Sequence, residues 1–205
     1  MSRRDNFRAL YFDPSSQNWL VEIDDMYLQS AVSYYGLNSI VPNYSRAAGI
    51  IKGRRVDTSE MSERQIKTLA ESCRLLYGLL HQRYIVTEDG IRKLENKYRR
   101  KVYGVCPRVA CKGRPLIPMG LTIEPRLGKV RRWCPQCHDI YDGGVDLDGA
   151  YFGSDLPIMF HKMNDIPIKF RPFSSFLKKY IDENGNEVPE IKQRLYRWGE
   201  YPAIK

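Results

Sequence analysis

Four cysteines arranged as two close pairs constrain this chain more than any other feature. Cys106-Pro-Arg-Val-Ala-Cys111 and Cys134-Pro-Gln-Cys137 are separated by 22 residues. Each pair is short enough to form a turn with both sulfurs pointing inward, and two such turns complete a tetrahedron of thiolates. Zinc favours that set because it is borderline-soft and imposes no ligand-field geometry. The spacing therefore predicts one Zn2+ ion held by Cys106, Cys111, Cys134 and Cys137. Four protein ligands leave no position for an activated water, so the expected site is structural. Two rival readings use the second pair alone. Cys134-Pro-Gln-Cys137-His138 matches the C-x-x-C-H haem attachment pattern, which leaves the first pair unexplained and would require export. A redox C-x-x-C belongs beside a βαβ pattern, and none is evident here. The fifth cysteine, Cys73, falls on the apolar face of a helix and reads as core.

At 205 residues, with 42% hydrophobic and 28% charged, the chain has ordinary globular composition and can bury a core without the metal's help. The opening Met1-Ser-Arg-Arg-Asp leads into no apolar run of signal-peptide length, and no run reaches membrane-spanning length. The expectation is a soluble intracellular protein with no membrane partner. In such a reducing compartment, five cysteines favour metal ligation over a disulfide framework.

Periodicity predicts an α+β chain. Asp24 reads as the N-cap of a helix with Tyr27, Leu28, Ala31, Val32 and Tyr35 inward and Gly36 as its stop. A short helix near 43–51 and a charged loop over 52–58 follow. The strongest helix has Ile66, Leu69, Ala70, Cys73, Leu76, Tyr77, Leu80 and Tyr84 on one face. Thr87 caps another, with Ile91, Leu94 and Tyr98 inward. After Gly104 proline and glycine punctuate short β-type runs: Leu121-Thr-Ile123, Val130-Arg-Arg-Trp133 and Asp139-Ile-Tyr141. The expected domains are a helical one over 1–103, a small antiparallel-sheet zinc ribbon with four cysteine ligands over 104–163, and a C-terminal tail over 164–205 with a hairpin signal at Asn184-Gly185.

Catalytic signatures are not found. There is no phosphate-cradling Gly-x-x-x-x-Gly-Lys and no kinase His-Arg-Asp or Asp-Phe-Gly set. The three histidines form no constellation: His81 lies in the packed helix, His138 beside the metal, and His161 in an isolated loop or strand position. The chain reads as a non-enzyme. Its +9 formal charge is concentrated in residues 92–132, where 13 Lys or Arg face only Glu95 and Glu124. That stretch supports an alternative, a nucleic-acid-binding zinc ribbon. The opposing reading is a solvated face that also offsets the thiolate charge.

Longer strings narrow the choice. Leu76-Tyr-Gly-Leu-Leu-His81, Tyr103-Gly-Val-Cys-Pro-Arg-Val-Ala-Cys111, Pro118-Met-Gly-Leu121, Trp133-Cys-Pro-Gln-Cys137, Asp148-Gly-Ala-Tyr-Phe-Gly153 and Arg194-Leu-Tyr196 occur in that order. A generic zinc ribbon would share only the cysteines. Together these motifs resemble the regulatory (beta) subunit family of casein kinase II from about Trp19 to Tyr201. The resemblance implies a non-catalytic subunit of the cytoplasm and nucleus. It would form a homodimer through the ribbon and join catalytic subunits of casein kinase II in a 2:2 tetramer that acts on protein substrates. It implies that Tyr196 and Trp198, which share one strand face, dock the kinase. Pro115, Leu116, Ile117, Leu121, Tyr151 and Phe152 are the candidates for the dimer interface, with internal packing as the competing role. Three departures stand out. Lys52-Gly-Arg-Arg-Val stands where the family carries an acidic loop, Ser2 precedes two arginines instead of acidic residues, and segment 173–193 is longer than usual.

Overall fold

The structure, a computed structural model, describes residues 11–57 and 59–164. Its centre is a long helix whose neighbours can be assigned from their caps. Helix α1 (Pro14–Trp19) starts at Asp13, whose carboxylate accepts from the Ser16 N–H. Helix α2 (Asp25–Gln29) and helix α3 (Tyr44–Ile51) are short. Helix α4 (Glu63–Ile85) opens with a capping box between Ser62 and Gln65. Helix α5 (Glu88–Arg99) is capped by Thr87 and has acids in its first turn and bases in its last, which suits the helix dipole. From Leu75 to Leu80 every α4 side chain is buried, because neighbouring elements cover the helix from more than one side.

The expected helix over 24–35 is broken. At Ser30 the backbone turns extended, and Val32–Tyr34 re-forms as a 3-10 helix. Tertiary side chains take the carbonyls that a continuing helix would use: Ser33 Oγ donates to Tyr27 O and Tyr34 Oη to Leu28 O, both at 2.9 Å. Val32 and Tyr35 consequently face solvent, 82% and 84% exposed, instead of the core. Ile66, expected inward on α4, is also exposed.

A three-stranded antiparallel sheet follows, in the order β1 (Ile117–Met119), β2 (Arg131–Trp133), β3 (Ile140–Asp142). Ile117 pairs with Trp133, and Trp133 with Ile140. Two strands lie where expected. The first does not: Leu121-Thr-Ile123 is an exposed loop, and the strand is four residues earlier, with Pro118 inside it. A proline is tolerated there because β1 is an edge strand. The chain leaves the sheet at Gly120, whose Cα packs against the Gly149 backbone so closely that a Cβ would lie 2.3 Å from Gly149 O. Beyond a 3-10 helix at Gly149–Tyr151, residues Leu156–Met163 form helix α6, within the region expected to be sheet. Pro157 marks its first turn, where a missing N–H costs nothing. His161 is therefore a buried helical residue, edge-on to Trp133 at 5.3 Å.

Two apolar clusters result. The main one joins the helices to Ile117, Met119, Val130, Trp133, Tyr151, Phe152 and Phe160. A second, much smaller, contains only the four paired cysteines and Leu116, with Tyr141 packed against it.

Candidate metal centre

Each cysteine pair sits on a turn fixed by backbone hydrogen bonds. In the first, a bridge between Val105 and Pro115 closes the loop, and the Cys106 N–H donates to Arg114 O at 2.8 Å. The chain turns through a 3-10 helix, Val109–Cys111, and two left-handed residues, Lys112 (φ 49°) and Gly113 (φ 68°). In the second, β2 ends at Trp133, the His138 N–H donates to Cys134 O, and His138 is left-handed (φ 61°) before β3 begins. The turns are tied together: Gln136 Nε2 donates to Ala110 O at 2.8 Å, and Arg108 pairs with Asp139.

The four sulfurs, all buried, lie within 4.8 Å of one another. Cys106 and Cys137 are 3.8 Å apart, and Cys111 and Cys134 are 3.9 Å apart. A tetrahedral ion with metal–sulfur bonds of ~2.3 Å sets sulfurs ~3.8 Å apart. The donor set fits a metal ion and is far too open for disulfides. With every position a protein sulfur, no coordination site remains for substrate or water.

The charge of the cluster suits a bound cation. Burial opposes ionisation at Cys106, but bonds from the Tyr141 hydroxyl and the Arg108 N–H outweigh it and bring the thiol to about 7. Burial and bonds to neighbouring thiols push Cys111 up to about 11, and burial also raises Cys134. Sulfurs this close would repel one another as thiolates, and a bound cation would offset that charge. Tyr141, whose hydroxyl is itself raised by burial, stays protonated and reaches Cys106 Sγ at 3.3 Å and Cys137 Sγ at 3.5 Å. It is an outer-shell orienting group. Sequence reading treated it only as a strand residue, although its place four residues after Cys137 was the available signal.

The other candidates separate. His81 is fully buried in α4: the Val21 N–H donates to its Nε2 at 3.0 Å, so its protonated Nδ1 donates to Tyr151 O at 2.7 Å. That is a structural histidine. His138 stacks on Trp133 at 5.4 Å. Of the six dimer-interface candidates, Leu116 is taken up by the cysteine cluster, and Ile117, Tyr151 and Phe152 by the main core. Leu121, 46% exposed, and half-buried Pro115 keep apolar surface outside. Exposed apolar side chains that sequence reading did not single out surround the metal turns: Val105, Ile140 and, at 93%, Val109. Val109 and Ile140 each directly follow a member of the Arg108–Asp139 ion pair, which brings the two positions to one side of the ribbon. Tyr196 and Trp198 lie outside the described residues.

The basic stretch is compensated in part. Arg92, Lys93, Arg99, Arg108, Lys129 and Arg131 pair with Asp89, Asp24, Glu95, Asp139, Asp146 and Asp142. Nearly half of its cations thus have carboxylate partners, most of them from outside the stretch itself.

Residues 6–191 match the sequence profile of the family described as casein kinase II regulatory subunit. The chain is 37% identical over 142 residues to casein kinase II subunit beta of Schizosaccharomyces pombe, covering 67% of this chain and 61% of that one. It is 35% identical over 151 residues to subunit beta of Dictyostelium discoideum, covering 72% and 56%. It is 30% identical over 202 residues to subunit beta' of Saccharomyces cerevisiae, covering 96% and 77%. The chain spans about half to three fifths of the length of the fission yeast, Neurospora, Dictyostelium and Arabidopsis relatives.

Proposed function

The chain belongs to the casein kinase II regulatory subunit family, and from that premise we propose that it is a non-catalytic regulator that assembles a casein kinase II type Ser/Thr kinase. The ion is zinc, one per chain, in a closed structural site. The ribbon pairs two copies, and the C-terminal segment carrying Tyr196 and Trp198 docks a catalytic subunit, giving a 2:2 tetramer in cytoplasm and nucleus. Any effect on rate acts through binding and population shift, since a site closed by four sulfurs has no room for chemistry. Among the described residues no helix is long and apolar enough to cross a membrane.

The observation that carries this reading is the closed sulfur tetrahedron with exposed apolar side chains around it. A structural ion has a use where the surface it shapes must stay in register, and Val105, Val109 and Ile140 are apolar groups there that the chain does not bury for itself. We expect Val109→Glu combined with Ile140→Glu to give monomers by native mass measurement while each chain keeps its zinc. Dimers persisting at the same protein concentration would remove the ribbon as the pairing surface.

Docking is tested separately. Aromatic anchors at interfaces commonly contribute ~2 kcal/mol or more each, so replacing Tyr196 and Trp198 together by alanine should weaken capture of the catalytic subunit several hundredfold. The dimer should be unaffected. Unchanged kinase capture would place the dock elsewhere.

A further inference from the structure

The end of α3 carries a concentration of positive charge that the fold does not use. Between Asp25 and Asp57 the chain has no acidic residue, yet it has Arg46, Lys52, Arg54 and Arg55. Among the described residues none of these four forms an ion pair, and the nearest acid along the chain, Asp57, accepts from Ser59 instead. Their placement is fixed by a Schellman turn. Gly53 is left-handed (φ 81°), its N–H donates to Ile50 O, and the Arg54 N–H donates to Gly49 O at 2.8 Å. The Arg54 side chain lies along the helix at Gly49, one turn from Arg46 on the same face.

Structural roles account for one of these cations. A helix C-terminus carries about half a negative charge, which a single neighbour offsets. Lys52 does this while standing 4.4 Å over the Tyr34 ring. Arg46 is in the first turn of α3, the end where a cation is disfavoured, and Arg54 and Arg55 are exposed past its other end. Lys52 joins this turn to the 3-10 helix Val32–Tyr34, where its ammonium stands over the Tyr34 ring, and from that helix end Val32 and Tyr35 project into solvent. At a spacing of three residues the two share one face in that geometry.

We propose that this surface, three uncompensated arginines beside exposed Val32 and Tyr35, docks an acidic polypeptide segment bearing an apolar side chain. The cations match carboxylates, and an aliphatic patch at Val32 gives a peptide side chain a seat while offering nothing to a phosphodiester strand. The surface is separate from the metal turns and independent of the kinase reading, so its failure leaves the assignments of Tyr196 and Trp198 untouched.

The test uses the full zinc-loaded chain and fluorescence anisotropy of a labelled peptide of glutamate and aspartate around one leucine. Arg46→Glu, Arg54→Glu and Arg55→Glu together should weaken binding by at least about tenfold, and added salt should weaken the parent chain's binding. Val32→Ser with Tyr35→Ser should weaken it by several-fold. The triple variant Arg100→Glu, Lys101→Glu, Lys162→Glu, equal in charge change but at exposed positions away from the metal turns, should bind as the parent does. If the charge reversals alter melting, Arg54→Ser with Arg55→Ser gives the same reading with less repulsion. Unchanged affinity in the reversed or the serine variant, an equal loss in the Arg100, Lys101 and Lys162 control, or tighter binding of oligothymidylate than of the peptide would each overturn the proposal, the last in favour of nucleic acid.

Discussion

We expect Cys134→Ser to release the metal and unfold the ribbon turns and, with the ribbon as the proposed pairing surface, to abolish pairing, while the helical signal is largely retained. Cys134 is the deepest of the four cysteines, with no solvent exposure, so an alternative ligand from water is not at hand. The size of the effect follows from what else holds the turns. Their own apolar cluster contains, besides the cysteines, only Leu116, with Tyr141 at its edge. Burying one leucine contributes ~1.5–3 kcal/mol, whereas a structural zinc ion binds with ~10–16 kcal/mol at neutral pH. The ion therefore dominates locally. It does not dominate globally, because the helices pack in a separate cluster with Trp19, Leu76, Leu80 and Phe152 at its heart. Native mass measurement should show the loss of one zinc and of the dimer together, and far-ultraviolet circular dichroism should change by a small fraction. A Cys134→Ser chain that keeps its metal and its partner would contradict the assignment, and so would one that loses all helical signal.

Gly78→Ala should destabilise the chain by ~2–3 kcal/mol, against the usual rule for helices. In an exposed helix the change would stabilise by ~1 kcal/mol, because alanine has less backbone freedom to lose. Here the added Cβ would lie 2.2 Å from Cδ1 and Cε1 of Tyr151 and 2.5 Å from its Cγ. The ring has little freedom to retreat: it is buried, it closes the 3-10 helix Gly149–Tyr151, and its own carbonyl is held by His81. Overpacking of this kind typically costs ~1–3 kcal/mol even where neighbours can adjust, and the forfeited Ala advantage does not offset it. For a chain of this length the expected loss corresponds to a melting point lower by about 5–10 °C. Calorimetry of the metal-loaded protein measures it. Combining Gly78→Ala with Tyr151→Ala should recover part of the loss relative to the sum of the single changes, a coupling that two unrelated defects would not show. A Gly78→Ala chain as stable as the parent would mean that the ring and the helix are not in contact.

The features that were legible beforehand share a physical property: they are local. Two cysteine pairs define their own geometry within a few residues, so the ligand set could be read without knowing the fold. Thr87 caps α5 through a bond to Gly90, three positions on, and that cap could be read from the string. What escaped depends on distant partners. The break at Ser30 is the exception: Ser33 and Tyr34 turn back on Tyr27 and Leu28 only six residues away, but side-chain bonds to carbonyls leave no mark in hydrophobic periodicity. Pro118 and Pro157 each masked an element, since proline signals a break unless the strand is known to be an edge or the residue is known to open a helix. The burial of Leu116, Ile117, Tyr151 and Phe152 arises from partners distant in sequence. Their apolar character was evident, but the partner that would cover them was not. Conversely, Val109 and Ile140 looked like ordinary ribbon residues until the fold left them uncovered.

The imidazole of His81 joins backbone at Val21 to backbone at Tyr151, residues sixty positions upstream and seventy downstream. During synthesis Val21 leaves the ribosome first and Tyr151 much later, together with Phe152 and Phe160 of the same cluster. The amino-terminal helices cannot finish packing when they emerge; they wait, partly open, for sequence that has not yet been translated. A nascent chain of this protein thus spends its vulnerable interval before the ribbon appears, when chaperone occupancy on the ribosome should be highest.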